Sequence, residues 1–232
     1  MKPILALIGN APLQKDFSST IDSFDLVIRC NEAKTLGTNT GHKTNILCIS
    51  NIGAPSKRII AEKSVTKLPK FPELSEIWFP RNAESNIDNS KNIIEVNKLS
   101  DVRIKYFSKE MNERVFKKLA VFSDFDFVEP STGILALCYI LEQPEFDKYE
   151  KYLFGFTFEM WEGHPAKAER LLIKSFCENR NDLIFVPVSS YWNLKRIIKE
   201  STLFCILSRL KERCKRRIIK ELKSHLFLKR VK

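Results

Sequence analysis

No apolar run in this chain approaches the roughly 20 residues that a membrane-spanning helix requires, and no C-x-x-C pair is present to suggest structural zinc or a redox dithiol. The six cysteines, Cys30, Cys48, Cys138, Cys177, Cys205 and Cys214, are scattered, so reduced and mostly buried thiols are expected. Met1-Lys2 and the short apolar stretch after it lack the length and the small-residue cleavage site of a signal peptide. Glycine is scarce, at seven residues, and Gly9-Asn10 stands where a dinucleotide fold would carry three glycines. Histidine is scarcer, with only His42, His164 and His225.

What remains is a globular composition. Hydrophobic residues make up 44% and charged residues 29% of 232, which excludes a disordered chain and allows one sizeable domain with an appendage. The net charge of +11 is unevenly placed. Residues 195–232 hold 14 Lys and Arg against 3 Asp and Glu, while the preceding 194 residues hold 25 of each sign. The body is neutral and the tail carries the whole excess, as an electrostatic address would.

Apolar segments read as strands at Ile4–Ile8, Leu26–Cys30, Ile46–Ile49, Ile77–Phe79, Val102–Phe107, Tyr152–Phe156 and Leu183–Val186. Helices are expected over Pro55–Lys63, Asp88–Lys98, Lys109–Leu119, Thr132–Leu141 and Pro165–Cys177. Apolar runs without strict alternation, interleaved with helices, specify an α/β fold: a single Rossmann-like domain with a mainly parallel sheet flanked by helices over residues 1–194. Polar Lys63–Glu76, with Pro69 and Pro72, reads as a surface loop or an excursion between elements.

The tail, 195–232, reads as basic and amphipathic. Leu203, Leu207, Leu210, Cys214, Ile218, Leu222 and Leu226 recur at helical spacing, with Lys and Arg on the other faces. Such a helix could dock on the body, but charge confined to the tail favours an anionic membrane surface as its partner.

Four stretches carry candidate chemistry: LIGNAP at Leu7–Pro12, DLVIRCNEA at Asp25–Ala33, EPSTGILAL at Glu129–Leu137 and GHPAKAERLL at Gly163–Leu172. Two follow strands at their carboxyl ends, where open sheets bind ligands. A third opens a helix with hydroxyl residues, whose unpaired N–H groups suit phosphate or carboxylate. His164 is followed by Pro165 and a helical run, so it is expected at the N-cap with Pro165 as the first helical residue. A positive helix end there disfavours imidazolium and leaves a neutral ring able to accept a proton. His42 and His225 have no comparable context and read as surface residues.

In this order the stretches resemble the sialyltransferases in the broad sense that includes bacterial enzymes. The large sialyl motif is matched by Gly9-Asn10, Ile21-Asp22, Asp25 to Asn31 and Gly41-His42-Lys43-Thr44. Pro130-Ser131-Thr132-Gly133 and Gly155-Phe156 match the small motif, and His164 with Glu169 matches the His-x4-Glu motif. The resemblance covers roughly Ile4 to Leu172. It implies an inverting transfer of sialic acid or Kdo from a CMP donor to a hydroxyl of a glycan or glycolipid such as lipopolysaccharide. Gly9, Asn10, Asn31, Ser131, Thr132, Gly133 and Gly155 would form the donor cradle. His164 would be the general base and Glu169 a catalytic partner that orients the site or steadies the helix end. No metal and no cofactor are implied.

The animal enzymes carry an anchor, a stem and a disulfide, whereas this sequence opens on its first strand with no Cys before Gly9. The expectation is therefore a cytoplasmic, bacterial-type enzyme, peripheral at the inner face of the inner membrane. Of the family's additional His motif only Trp161-Glu162 remains as a counterpart. Two other readings compete. Asp124-Phe125-Asp126 is a D-x-D, as in metal-dependent transferases that use nucleotide-diphosphate sugars. A basic tail could also contact nucleic acid, but only Phe204 and Phe227 offer stacking there, so no nucleic-acid partner is expected.

Overall fold

The computed structural model describes residues 2–66, 69–81, 88–123, 129–158 and 164–188. Asp124–Asp126, Trp161-Glu162 and the tail lie outside the described residues.

Seven strands form one sheet: β1 (Ile4–Ile8), β2 (Leu26–Cys30), β3 (Ile46–Cys48), β4 (Glu76–Phe79), β5 (Arg103–Tyr106), β6 (Glu150–Phe154) and β7 (Leu183–Phe185). Every pairing is parallel, in the order β5-β4-β3-β2-β1-β6-β7. The connections supply α1 (Ser18–Asp22), α2 (Gly53–Glu62), α3 (Ser90–Val96), α4 (Lys109–Ala120), α5 (Thr132–Glu142) and α6 (Ala166–Asn179).

The interior strands β1 to β4 are buried on both sides because both faces of the sheet are covered there. Along β3 and just beyond it, Ile46 and Cys48 enter one core with Met111 and Val115 of α4, Leu135 of α5 and Leu172 of α6. Leu47 and Ile49 enter the other core, with Ile59 of α2 and Ile93 of α3. Helix α5 is apolar all round and buries every residue from Ile134 to Ile140, as a helix walled in on all sides must. Its Tyr139 stacks on Phe107, with ring centroids 4.3 Å apart, and meets the edge of Trp78.

Three details differ from the sequence reading. Helix α1 was not anticipated; five residues are too few to show a helical period. The segment before β4 is more than a polar excursion, because Val65, Phe71 and Leu74 are buried and plug the second core. Helix α6 begins at Ala166 with Pro165 as its N-cap, so His164 stands one residue before the cap. The ring of Pro165 leaves the φ of a cap residue open to it, and its carbonyl still accepts the first intrahelical bond, from Glu169 N–H.

Order and direction together position a site. The chain steps outward from β1 to β5, then crosses back to lay β6 on the other side of β1. Connections therefore leave the carboxyl ends of β1 and β6 in opposite directions and open a crevice between them.

Candidate active site

The crevice is a cleft of about 770 Å³, walled by the segments that follow β1, β2, β3, β4 and β6 and by the start of α5. Its floor is a contact between two glycines. Gly9 N–H donates to Phe154 O at 2.8 Å and Ala11 N–H to Gly155 O at 3.1 Å. A Cβ on Gly9 would run into the Gly155 carbonyl, and Gly155 itself has φ +69°. A side chain at the first position or ordinary backbone at the second would push β1 and β6 apart.

Asn10 ties the ends of β1 and β2 together. Its Nδ2 donates to Cys30 O at 3.1 Å and its Oδ1 accepts from Lys34 N–H at 2.9 Å. Asn31, in the left-handed region at φ 50°, accepts the Ser50 N–H on Oδ1 at 2.9 Å. Among the described residues its Nδ2 makes no hydrogen bond, which leaves an amide donor at the cleft wall.

Helix α5 presents its amino end to the same cleft. Ser131 is the N-cap, and its Oγ accepts the Ile134 N–H at 3.3 Å. The N–H groups of Thr132 and Gly133, first in the helix, have no partner among the described residues and carry the positive end of the helix dipole. Ser131 is held from behind. Glu169 Oε1 accepts its N–H and Oε2 accepts its hydroxyl, both at 2.7 Å. Ser131 therefore shapes the turn with a hydroxyl already engaged on both sides, rather than offering it to a ligand.

Glu169 is 2% exposed. Burial pushes its carboxyl up to about 7, against the opposing pull of the two Ser131 bonds and the Arg81 charge. His164 Nδ1 lies 2.8 Å from Glu129 O. A carbonyl only accepts, so Nδ1 carries the hydrogen and Nε2 is the basic nitrogen of the neutral ring. The ring is held below the ordinary imidazole range, by burial first and then by the Arg81 charge, against the pull of Glu129. Burial therefore leads where the sequence reading looked to the helix end.

All nine residues singled out in the sequence, Gly9, Asn10, Asn31, Ser131, Thr132, Gly133, Gly155, His164 and Glu169, line this one cleft. Sequence reasoning missed Arg81, Glu129, Ser50 and the Ile52–Pro55 start of α2, which line it too. Arg81 follows β4 with no surrounding pattern, and only the sheet order brings it beside residue 129. Cys30 also borders the cleft, but burial pushes its thiol up to about 12, so it is no nucleophile near neutral pH. Cys30, Cys48, Cys138 and Cys177 are free. Among the described residues there is no group of three or more His, Cys, Asp or Glu placed to hold a metal ion, and no helix is long and apolar enough to cross a membrane.

The model of glycosyltransferase family 29 (sialyltransferase) matches residues 6–145, more than half of the chain. The chain belongs to this sialyltransferase family. The match ends before Gly155, His164 and Glu169, so geometry alone gathers those three into the cleft. A mammalian sialyltransferase structure superposes with a TM-score of 0.51 at 19% identity, over 80% of this chain and 69% of that one, and shares the fold. The sialyltransferase CstII from Campylobacter jejuni, solved with cytidine-5'-monophosphate, aligns at TM-score 0.46 and 17% identity over 76% of this chain and 77% of that one. Among curated proteins, the urease operon 23 kDa accessory protein of Rhizobium meliloti (strain 1021) is 23% identical over 185 residues, 72% of this chain and 85% of that protein. This family-29 chain is a sialyltransferase-like glycosyltransferase.

Proposed function

We propose that this family-29 enzyme is an inverting transferase. It moves an acidic keto-sugar, sialic acid or Kdo, from its CMP donor to a hydroxyl of a cell-surface glycan such as lipopolysaccharide. The observation that carries this reading is the convergence of nine motif residues on one crevice between β1 and β6. There the Thr132 and Gly133 N–H groups and the Asn31 amide suit an anionic nucleotide without adding charge.

In this reading His164 Nε2 takes the proton of the acceptor hydroxyl. The hydroxyl oxygen forms a bond to the anomeric carbon from the face opposite the phosphate, and the bond from that carbon to the phosphate oxygen breaks. CMP departs with the bonding pair, its phosphate steadied by the N–H groups at the start of α5. Glu169 acts on the turn through Ser131 and makes no contact with the reacting atoms.

Calorimetry with CMP and UMP, in EDTA, tests the donor assignment; CMP should bind more tightly, and equal binding of UMP would count against it. CMP release should then be followed with CMP-sialic acid and CMP-Kdo, using rough lipopolysaccharide or a lactoside as acceptor. His164→Ala should retain CMP affinity and lower turnover by ~10²–10⁴-fold. In the wild type the rate should rise with pH through a midpoint below the usual imidazole range. That acid limb should vanish in the mutant. A variant that turns over like wild type ends the general-base assignment.

A further inference from the structure

Three residues, Glu129, Pro130 and Ser131, form a strap across the back of the cleft, and each is tied to a different part of the protein. The Glu129 carbonyl holds the His164 ring. Ser131 is held by Glu169 of α6. The third tie comes from the far side of the sheet. Arg81, two residues beyond β4, donates from Nε to Glu129 Oε2 at 3.2 Å and from Nη2 to Pro130 O at 2.5 Å. Its backbone is pinned in turn to buried Asn51, whose Oδ1 accepts the Arg81 N–H at 3.2 Å and whose Nδ2 donates to Arg81 O at 3.3 Å.

A cation in this place is an expensive choice if it only ties chain to chain. The side chain is 12% exposed and its single carboxylate partner 27% exposed. Nη1 is buried with no hydrogen-bond partner among the described residues, and a buried donor left unpaired costs ~1–3 kcal/mol or more. A flat guanidinium reaches a carboxylate and a carbonyl one residue apart with its fork, which a point charge on a flexible stem does not reproduce. The fork therefore fixes where the Glu129 carbonyl lies.

We propose that Arg81 is the positioning residue of this site: it clamps the Glu129–Pro130–Ser131 strap so that the Glu129 carbonyl keeps the His164 hydrogen on Nδ1 and leaves Nε2 as the base. This rests on His164 being the base. Among the described residues the charged groups around the strap are Arg81, Glu129 and Glu169. The positive charge of Arg81 adds to burial in disfavouring imidazolium, while Glu129 opposes both. Arg81 thus acts on the base twice, through the geometry of the strap and through its charge.

The chain holds three histidines, so the His164 ring can be followed by imidazole NMR and assigned by its loss in His164→Ala. Wild type should show the Nδ1–H tautomer and a midpoint below the usual imidazole range. In Arg81→Met the midpoint should rise and the tautomers should average. Turnover should fall ~10–100-fold. Arg81→Lys keeps the charge without the fork; its midpoint should stay low while the tautomer preference is lost. An Arg81→Met ring that titrates and tautomerises like wild type overturns the proposal, whatever happens to stability. If Arg81→Met does not fold, Arg81→Lys decides alone, and an unchanged tautomer overturns it. Should the wild type transfer nothing from any CMP-sugar, the transfer reading falls, while the ring titration still decides the role of Arg81.

Discussion

Ser131 illustrates how a residue can belong to a binding motif without facing the ligand. Its hydroxyl donates to Glu169 and accepts from Ile134, and what the cleft receives is the backbone that this arrangement fixes. Asn31 is the reverse case, with one amide atom committed to Ser50 and the other available. Asn31→Asp keeps the acceptor for Ser50 and removes the donor, so CMP affinity should fall about tenfold or more, with an unchanged thermal midpoint. Equal loss of binding and stability would mean that Asn31 is a turn residue only. Glu169 carries a stability signature. Folding raises its carboxyl from 4.5 to about 7, so its contribution is fully present below pH 4.5 and is lost as pH rises through 7. Glu169→Gln keeps the shape without the ionisation. At pH 8 it should be more stable than wild type by on the order of a few kcal/mol, read as a higher melting temperature, and the two should converge near pH 4.5. A melting temperature lowered at every pH would show that the charged form is what folding uses.

At the scale of elements, the large motif divides into a ligand part and a scaffold part. Gly9, Asn10 and Asn31 reach the cleft. Arg29 does not: it is 1% exposed, and burial lowers its guanidinium to about 10. Its fork binds Thr40 through Oγ1 and O, Gly41 O, Lys43 O and Thr44 Oγ1. Asp22 closes the same loop by accepting the His42 and Lys43 N–H groups. Arg29→Met should cost at least ~3 kcal/mol in urea denaturation, because several buried acceptors lose their donor. The folded fraction should still bind CMP; lost binding in a fully folded variant would place Arg29 in the site.

The same division explains how far the sequence was legible. The interior strands β1 to β4 are buried on both faces, and a buried parallel sheet leaves that pattern in any reading of the chain. The nine cleft residues sit in short local patterns, such as Gly-Asn after a strand or Ser-Thr-Gly opening a helix, and the order of those patterns, with the sialyltransferase resemblance it carries, is what marks them. Arg81 and Glu129 are single charged residues 48 positions apart, and their pairing exists only through the strand order. Val65, Phe71 and Leu74 fall in a stretch that reads as a loop or an excursion, because a plug in a core has no period to detect.

On the scale of the whole molecule, the partition of charge separates two jobs. The neutral body holds the cleft, and the excess of +11 falls entirely within residues 195–232. We propose that this excess brings the enzyme to an anionic membrane surface, where a glycolipid acceptor would lie. Full-length protein should sediment with anionic vesicles at low salt and be released at high salt. A chain ending at Asn193 should stay in the supernatant with CMP affinity intact. A truncated chain that precipitates would instead assign the tail to the folding of the body.

The strand order also sets a timetable for synthesis. β1 lies in the interior of the sheet, and the strand on its far side, β6, begins only at Glu150. At roughly 5–20 residues per second, the hydrogen-bonding edge of Ile4–Ile8 stays open for about 7–30 s after it emerges. β2 covers the other edge early, but the newborn half-sheet exposes a flat apolar strand of the kind that recruits neighbouring chains. The contact between Gly9 and Gly155 is then among the last to form. Until those two meet, the ribosome carries a molecule with nearly all of its helices and no cleft.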